Sequence, residues 1–403
     1  MPEVVPRVAY LSYDGLTDPL GQSQILPYIL GLVAKGFEFV IISFEKADIY
    51  QEGRSVIEGL IKEKKITWIP LTYHKRPPVL STLFDIYVLW RIVRNEHIKK
   101  PFDILHCRSY ITSLVGLAIK RSTQVKFIFD MRGFWADERV EGGLWNLKNP
   151  LYKLVYQFFK KKEKEFVIAA DHIISLTQNA RQEIISWSIT NNPITVIPTC
   201  VDLDLFNPAK IDKVKQATLR MKWGIQEDDF VLLYLGSWGT WYLTEEMLMF
   251  FSELKKQIRG VKFLILSADK IELANYPDKN DVILTSAPRQ LVPLYISLAS
   301  ASVFFIKPSF SKKASSATKM GEIVAMGIPL IANRGWGDVD LYEDERVILL
   351  NDFSSASVSQ ITSTLLKMKE MSRHKGLGLT KEHPLSLEKG ILDYHQVYHL
   401  LLS

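Results

Sequence analysis

Residues 7–44 read RVAYLSYDGLTDPLGQSQILPYILGLVAKGFEFVIISF, and this stretch decides the fold class. Residues 7–12 are a nearly continuous apolar run, which is typical of a strand buried on both faces of a sheet. Apolar side chains recur with helical spacing over residues 22–35, Gly36 follows as a helix stop, and residues 37–44 form a second apolar run. We therefore predict a βαβ unit, the building block of an α/β protein with a parallel sheet.

The same alternation continues in two blocks that are separated by a polar stretch with a short helix. In the first block we predict further strands at residues 66–71, 104–106, 126–130, 172–176 and 195–197. In the second block we predict strands at residues 231–235, 262–267, 282–285, 301–306 and 328–333. The pattern predicts two doubly wound, Rossmann-like domains: residues 1–205, then a linker plus second domain over residues 206–385, with a C-terminal helix at residues 386–403.

Composition excludes several classes of protein. The 403 residues are 47% hydrophobic, and 50 basic residues nearly balance 44 acidic ones, so we expect a folded protein that is not a nucleic-acid binder. Cys107 and Cys200 fit neither a disulfide framework nor a zinc motif. The first 15 residues lack a signal-peptide pattern, and no apolar run is long enough to span a bilayer. We therefore expect a cytoplasmic protein. We also expect no metal site, since no HExxH pattern occurs and the Asp-x-Asp pairs at 202–204 and 338–340 lie outside the setting of the metal-dependent transferases.

The segment richest in chemistry is residues 309–333, SFSKKASSATKMGEIVAMGIPLIAN. Ser315, Ser316 and Thr318 lie at the predicted start of a helix that carries Lys319 and Glu322. The N–H groups and dipole of such a helix, with the Lys319 ammonium, suit a diphosphate. Glu322 lies on the same helical face and can accept hydrogen bonds from ribose hydroxyls. A capped helix with a surface Lys–Glu pair remains the alternative.

This segment resembles the donor-site helix of retaining glycosyltransferases of family four, which have the GT-B fold. In that family two glutamates stand eight residues apart; Glu322 falls on the second, with Ala325, Gly327 and Pro329 in step. Three further segments match in the correct order, so that the resemblance covers essentially the whole chain: residues 14–23 (DGLTDPLGQS), 170–175 (ADHIIS) and 196–202 (VIPTCVD).

The resemblance implies two domains with an active cleft between them and a C-terminal helix that packs back on the first domain. It implies transfer of a hexose from a UDP- or GDP-type sugar donor to a hydroxyl of a glycan, a lipid-linked sugar or a small molecule, with retention of configuration. No metal or other cofactor is implied. The expected contacts to the donor are Gly15, Gly21, Gln22, Gly236, Ser237, Gly239, Thr240, Arg289, Ser315, Ser316, Thr318, Lys319 and Glu322.

Two departures from the family pattern keep other functions open. Ala314 stands where the family has its first glutamate, and the loop at 235–243, LGSWGTWYL, lacks the usual arginine and lysine. A nucleotide-sugar epimerase on the same fold is one alternative. A non-catalytic subunit that binds sugar nucleotides in glycoconjugate assembly is another.

The first domain is expected to bind the acceptor. Arg108 and Asp130 end neighbouring predicted strands, and Arg132 follows, so we place these three with Lys319 and Glu322 in the catalytic set. The family often has histidine where Arg108 stands, and an Arg–Asp structural pair is the alternative. The lysines of residues 152–164 (YKLVYQFFKKKEK), beside apolar residues, predict peripheral contact with an anionic membrane. The oligomeric state stays open.

Overall fold

The computed structural model describes residues 5–344, 346–372 and 379–403. The chain divides into two compact units. The first extends to Cys200 and also includes Ala314–Ser316 and Leu387–Ser403. The second comprises Val201–Lys313 and Ala317–Ser386.

The first unit is built on one parallel sheet. Its seven strands, counted over the described residues, are β1 (Arg7–Ser12), β2 (Glu38–Glu45), β3 (Ile66–Thr72), β4 (Ile104–Arg108), β5 (Lys126–Asp130), β6 (His172–Ser175) and β7 (Ile194–Val196). They lie in the order β3-β2-β1-β4-β5-β6-β7. The order reverses between β1 and β4, and ligands of doubly wound sheets bind beside the carboxyl ends of strands at such a point.

Helices cover the sheet of the first unit. They are α1 (Pro19–Gln24), α2 (Leu26–Ala34), α3 (Ala47–Ile61), α4 (Leu80–Lys99), α5 (Ser109–Lys120), α6 (Trp135–Glu141), α7 (Pro150–Ala169) and α8 (Gln178–Ser186). The predicted single helix over residues 22–35 is wrong. Pro27 has no N–H to donate inside a helix, so the helix breaks at Ile25 and restarts as α2. Pro19 starts α1 earlier than predicted.

The second unit repeats the architecture. The described part holds six parallel strands: β8 (Phe230–Leu235), β9 (Val261–Leu266), β10 (Val282–Thr285), β11 (Ala301–Phe304), β12 (Leu330–Asn333) and β13 (Val347–Leu350). Their order is β10-β9-β8-β11-β12-β13, which places the reversal between β8 and β11. Sequence reasoning missed β13, a short edge strand that follows β12 through a 3₁₀ turn rather than an α-helix.

The helices of the second unit are α9 (Lys213–Lys222), α10 (Thr244–Gln257), α11 (Val292–Ile296), α12 (Thr318–Ala325) and α13 (Ser355–Ser372). The last helix, α14 (Leu387–Leu402), belongs to the first unit and packs against α2. Tyr394, Val397 and Tyr398 of α14 are buried in the core of that unit. The described residues contain no helix long and apolar enough to cross a bilayer.

Candidate functional site

At the reversal point of the second unit, Lys319 in the first turn of α12 lies in an aromatic cage. Its Nζ is 3.7 Å from the ring centroid of Tyr242, 4.5 Å from that of Tyr234 and 5.3 Å from that of Phe304. The Tyr234 hydroxyl lies 3.4 Å away. Cation–π attraction offsets part of the loss of hydration, but no carboxylate among the described residues is in ion-pair contact with this ammonium.

Burial controls the protonation of Lys319, which is only 7% exposed. Desolvation lowers the pKa of this lysine to about 7, and the charge of Glu322 opposes that shift only partly. A buried ammonium without an adjacent carboxylate gains strongly from any anion that reaches it. The pocket is therefore electrostatically suited to an anionic ligand.

The loop after β8 closes over Lys319. Gly236 has φ of +115°, and a Cβ built on it would lie 2.7 Å from Nζ of Lys319. Only glycine combines that backbone conformation with that approach. Gly239 and Thr240 also have positive φ, and the Tyr234 hydroxyl donates to the carbonyl of Ser237, so this loop is tightly turned. Its backbone comes close to the ammonium without an intervening side chain.

Glu322 lies one turn further along α12 and is buried. Arg289 Nη1 donates to its Oε1 at 2.5 Å, and the guanidinium of Arg289 lies 5.0 Å from the ring centroid of Phe206. This charge-assisted hydrogen bond fixes the carboxylate. Arg289, expected to contact the donor, is thereby held against Glu322.

The N-terminus of α12 is open to a ligand. Ala317 occupies the N-cap and makes no side-chain hydrogen bond to the first turn. Thr318 is the first helical residue, not the cap. The Ser316 hydroxyl accepts from the Thr199 N–H at 3.0 Å, and Ser315 lies beside it in the chain, so the two serines precede the helix without capping it. Uncapped N–H groups at a helix N-terminus attract anions.

Ala314, at the position of the missing glutamate, ends the 3₁₀ turn Ser311–Ala314 and is 2% exposed.

In the first unit, the glycine-rich loop after β1 is hydrogen-bonded to the side chain of Glu45. This buried carboxylate, at the end of β2, accepts from the backbone N–H of Leu16 at 2.8 Å, the Thr17 hydroxyl at 2.5 Å and the Ser43 hydroxyl at 2.6 Å. A Cβ on Gly15 would lie 2.6 Å from Glu45 Oε2. The carboxylate therefore fixes the loop conformation and requires glycine at its first turn.

The second half of this loop is equally constrained. A Cβ on Gly21 would lie 2.1 Å from the carbonyl oxygen of Gly15, so the two turns touch. Gln22 donates from its amide to the carbonyl of Thr17 at 2.9 Å. The amide N–H of Gln22 is thus used inside the loop.

Arg108, Asp130 and Arg132 come together at the carboxyl ends of β4 and β5. Arg108 Nη1 lies 4.0 Å from Asp130 Oδ2, and Arg132 Nη1 lies 3.8 Å from Asp130 Oδ1. Arg108 Nε lies 3.6 Å from Asp14 Oδ2. Burial disfavours the Asp130 carboxylate, but Arg132, His106 and Arg108 outweigh that cost and hold the pKa of Asp130 below its usual value.

The ion pairs of this cluster are longer than hydrogen bonds. Among the described residues, Nε and Nη1 of Arg108 and Nε of Arg132 are buried and have no acceptor. Arg132 also has φ of +55°, a conformation that costs a non-glycine residue about 1–3 kcal/mol. Unused donors and backbone strain together mark this strand edge as a candidate binding site.

Further hydrogen bonds in this cluster come from residues that sequence reasoning missed. His106 bonds Asp130 at 3.2 Å and the Tyr398 hydroxyl at 2.8 Å, and the Tyr394 hydroxyl donates to Asp130 at 3.3 Å. Burial lowers the pKa of His106, so Asp130 does not make it cationic at neutral pH. A polar residue near the end of an apolar strand, such as His106 or Glu45, is a sequence signal for a residue that supports a site. The tyrosines of α14 stand in no sequence pattern of this kind.

Comparisons with known proteins agree with the motifs. The sequence model described as Glycosyltransferase Family 4 matches residues 27–205. A search of curated proteins finds no match.

Solved structures match over nearly the whole chain. A glycosyltransferase from Rickettsia africae has 16% identity and a TM-score of 0.69, over 99% of both chains. Sucrose-phosphate synthase from Thermosynechococcus elongatus has 14% identity and a TM-score of 0.67, over 98% of this chain and 99% of that one. Anabaena HepE in complex with UDP has 13% identity and a TM-score of 0.68, over 98% of this chain and all of that one. These matches confirm the predicted GT-B fold, and the family model confirms the predicted resemblance to family four over residues 27–205.

Proposed function

We propose that this chain, a glycosyltransferase-family protein with the GT-B fold, transfers a hexose from a UDP- or GDP-type sugar to a hydroxyl acceptor with retention of configuration. The observation that carries the proposal is Lys319, a buried ammonium that no described carboxylate contacts, in the first turn of a helix without a side-chain cap. The diphosphate of a sugar nucleotide supplies the charge that this pocket lacks. HepE, of the same fold, binds UDP and UDP-glucose in its complexes.

In the proposed reaction the bond between the anomeric carbon and the phosphate oxygen breaks, and a bond to the acceptor oxygen forms on the same face. Negative charge grows on the departing diphosphate while the sugar becomes oxocarbenium-like. Lys319 and the backbone N–H of Thr318 stabilise that negative charge, while the N–H of Gly236 is bonded to the carbonyl of Leu266. The acceptor proton passes to the departing phosphate oxygen, so the protein needs no general base, and because the acceptor oxygen attacks the anomeric carbon directly it needs no nucleophile.

In this proposal Glu322 binds the ribose of the donor. Its Oε1 is held by Arg289, which fixes the carboxylate so that Oε2 can accept from a ribose hydroxyl. Arg289 then acts through Glu322. Ser237, Gly239 and Thr240 line the phosphate side through backbone groups, in the place of the missing arginine and lysine of the family.

The acceptor site is proposed at the carboxyl edge of β4 and β5. The unused N–H groups of Arg108 and Arg132 can donate to acceptor oxygens, and Oδ1 of Asp130, also without a donor among the described residues, can accept from a hydroxyl. Both kinds of hydrogen bond suit a polyhydroxylated or anionic acceptor.

We also propose that the protein is cytoplasmic with peripheral contact to an anionic membrane, and that α4 rather than the predicted α7 is the contact surface. On α7, Lys160 pairs with Asp137 and Glu163, and Lys162 pairs with Glu165, so two of the predicted lysines are neutralised. The first turns of α4 expose Leu80, Leu83, Phe84 and Tyr87, each 53–64% exposed, and α7 also exposes apolar side chains, so charge decides between the two helices.

Charge makes the α4 face complementary to anionic lipid. Lys75, Arg76, Arg91 and Arg94 are exposed around it, and Asp85, the acidic residue between positions 73 and 95, is buried and bonded to Tyr13 and His74. Each basic residue near such a surface contributes about 1 kcal/mol. Replacing these four with glutamine should abolish co-sedimentation with phosphatidylglycerol vesicles at low salt, while replacing Lys153, Lys161 and Lys164 of α7 should reduce it less. Equal losses, or no binding by the parent, would contradict this placement.

The reaction itself is tested by product analysis. Purified protein is incubated with UDP- and GDP-hexoses, with and without an acceptor extract, and products are identified by mass spectrometry and anomeric NMR. An α-linked glycoside from an α-linked donor supports the proposal. An epimerised donor formed without acceptor indicates the epimerase, and donor binding without turnover indicates the assembly subunit.

A further inference from the structure

Two histidines form a pair on the exposed face of α14. His395 and His399 are four residues apart, so their side chains lie on one side of the helix. Their Nε2 atoms are 3.1 Å apart, and the ring centroids are 4.4 Å apart at an interplanar angle of 70°. The two nitrogens thus face the same small volume, where one can donate a hydrogen bond to the other, or both can bind one ion when each ring carries its proton on Nδ1.

The separation of the two nitrogens fits a shared metal ion. Imidazole nitrogen binds zinc at about 2.0–2.1 Å. Two nitrogens 3.1 Å apart at that bond length subtend an angle of about 100° at the metal, between square-planar and tetrahedral geometry. The pair therefore has the bite of a bidentate chelate without rearrangement.

The helix holds this pair in place. Tyr394 and Tyr398, which alternate with the histidines along α14, are buried and bonded to Asp130 and His106. Each histidine ring also packs edge-on against Phe37, with centroids 6.0 Å apart.

We propose that His395 and His399 bind one divalent transition-metal ion of the class that prefers imidazole: Zn²⁺, Cu²⁺ or Ni²⁺. The described residues contain no group of three or more histidine, cysteine or carboxylate side chains able to hold a metal, so water completes the coordination. The ion ties together one turn of α14 and so stabilises the folded first unit. The sequence-based expectation of no metal site overlooked this His-x₃-His spacing, and the inference is independent of the proposed function.

The test uses Cu²⁺, Zn²⁺ and Ni²⁺ titrated separately into the full chain, followed by calorimetry, by thermal melting and, for Cu²⁺, by electron paramagnetic resonance. One equivalent should bind with two nitrogens in the copper spectrum, and the melting temperature should rise. His395→Gln or His399→Gln should weaken binding at least ~10-fold, the range typical of disrupted metal sites.

A matched variant keeps the number of histidines constant. His399→Gln with Leu400→His moves the second imidazole by one position, off the shared face; Leu400 is 67% exposed, so the fold tolerates the change. This variant should bind metal as weakly as His399→Gln alone. Binding that survives in it, or in either single variant, would overturn the proposal, as would a parent protein that binds no metal.

Discussion

The two units handle buried positive charge differently. In the first unit the guanidinium groups of Arg108 and Arg132 lie 3.8–4.0 Å from the Asp130 carboxylate, so charge is compensated inside the cluster. In the second unit Lys319 has aromatic faces around it, and no described carboxylate contacts it. In the first arrangement the net charge is compensated without a ligand, although several N–H groups stay without an acceptor. The second is completed only by a ligand, and the cost of the incomplete state appears as a lowered pKa.

This contrast indicates which substitutions should lower the free energy of unfolding and which should weaken ligand binding. Removing a partner from a compensated cluster leaves another charge buried and alone. Removing the lysine from an uncompensated pocket relieves the fold and harms only ligand binding. The predictions below separate these two behaviours.

The largest effect is expected at Asp130. Asp130→Asn leaves Arg108 and Arg132 without their shared counter-ion, so the free energy of unfolding should fall by about 3–5 kcal/mol. Chemical denaturation measures it. Asp171→Asn is the control: it removes the partly exposed pair with Lys120, its amide oxygen can still accept from the Phe127 N–H, and it should cost less than Asp130→Asn. Equal losses in the two variants would show that the cluster is not a compensated unit.

Lys319→Ala should act on turnover. If the ammonium meets the departing diphosphate, its loss should lower kcat about 10²–10³-fold and weaken donor binding less, because the charge is greatest in the transition state. Steady-state kinetics with a thermal melt as folding check decides it. Lys270→Ala, an exposed lysine of the same unit, is the control. Near-parental turnover by Lys319→Ala would remove Lys319 from the donor site.

Lys319 should also make stability depend on pH. Its pKa is about 7 in the folded protein and near 10.5 when exposed, so between these values the unfolded chain holds a proton that the folded chain has lost. The free energy of unfolding should therefore rise with pH by up to about 1.4 kcal/mol per pH unit across that window. Lys319→Met should lack this slope and be more stable than the parent at pH 7. Parallel curves would refute the uncompensated pocket.

The smallest effect is expected at Glu322. Ribose hydroxyls bind equally in the ground and transition states, so Glu322→Gln should raise the donor KM about 10-fold and change kcat less. Arg289→Gln is informative beside it, because it frees Glu322 without removing it. A fall in kcat that exceeds the rise in KM would place Glu322 at the reacting atoms instead.

Local pattern was sufficient to predict the doubly wound sheets, because buried parallel strands such as β1, β2 and β8 are apolar runs separated by helical spacing. It failed where one residue changes the hydrogen bonding, as Pro27 does inside the predicted helix. It also failed at β13, which follows β12 through a 3₁₀ turn without the α-helical segment that separates most other strands.

The candidate site was predictable only in part, for the same reason. Lys319 and Glu322 share one helix and can be recognised together. The cage around Lys319 comes from a strand, Tyr234, and a loop, Tyr242, that are far apart in sequence from α12. Likewise Tyr398 reaches His106 across 292 positions. Contacts of this kind arise from the fold as a whole, and no local sequence pattern predicts them.

The place of α14 in the first unit has a consequence for synthesis of the chain. A ribosome makes residues 201–386, the bulk of the second unit, before it makes the tyrosines that close the core of the first. Domains generally fold as units and from the N-terminus during translation. The first unit cannot complete its core in this way, because Ile29, Phe37 and His106 pack with residues of α14, which is made last. The apolar side chains that α14 covers in the finished protein therefore stay without this cover until the last residues are made.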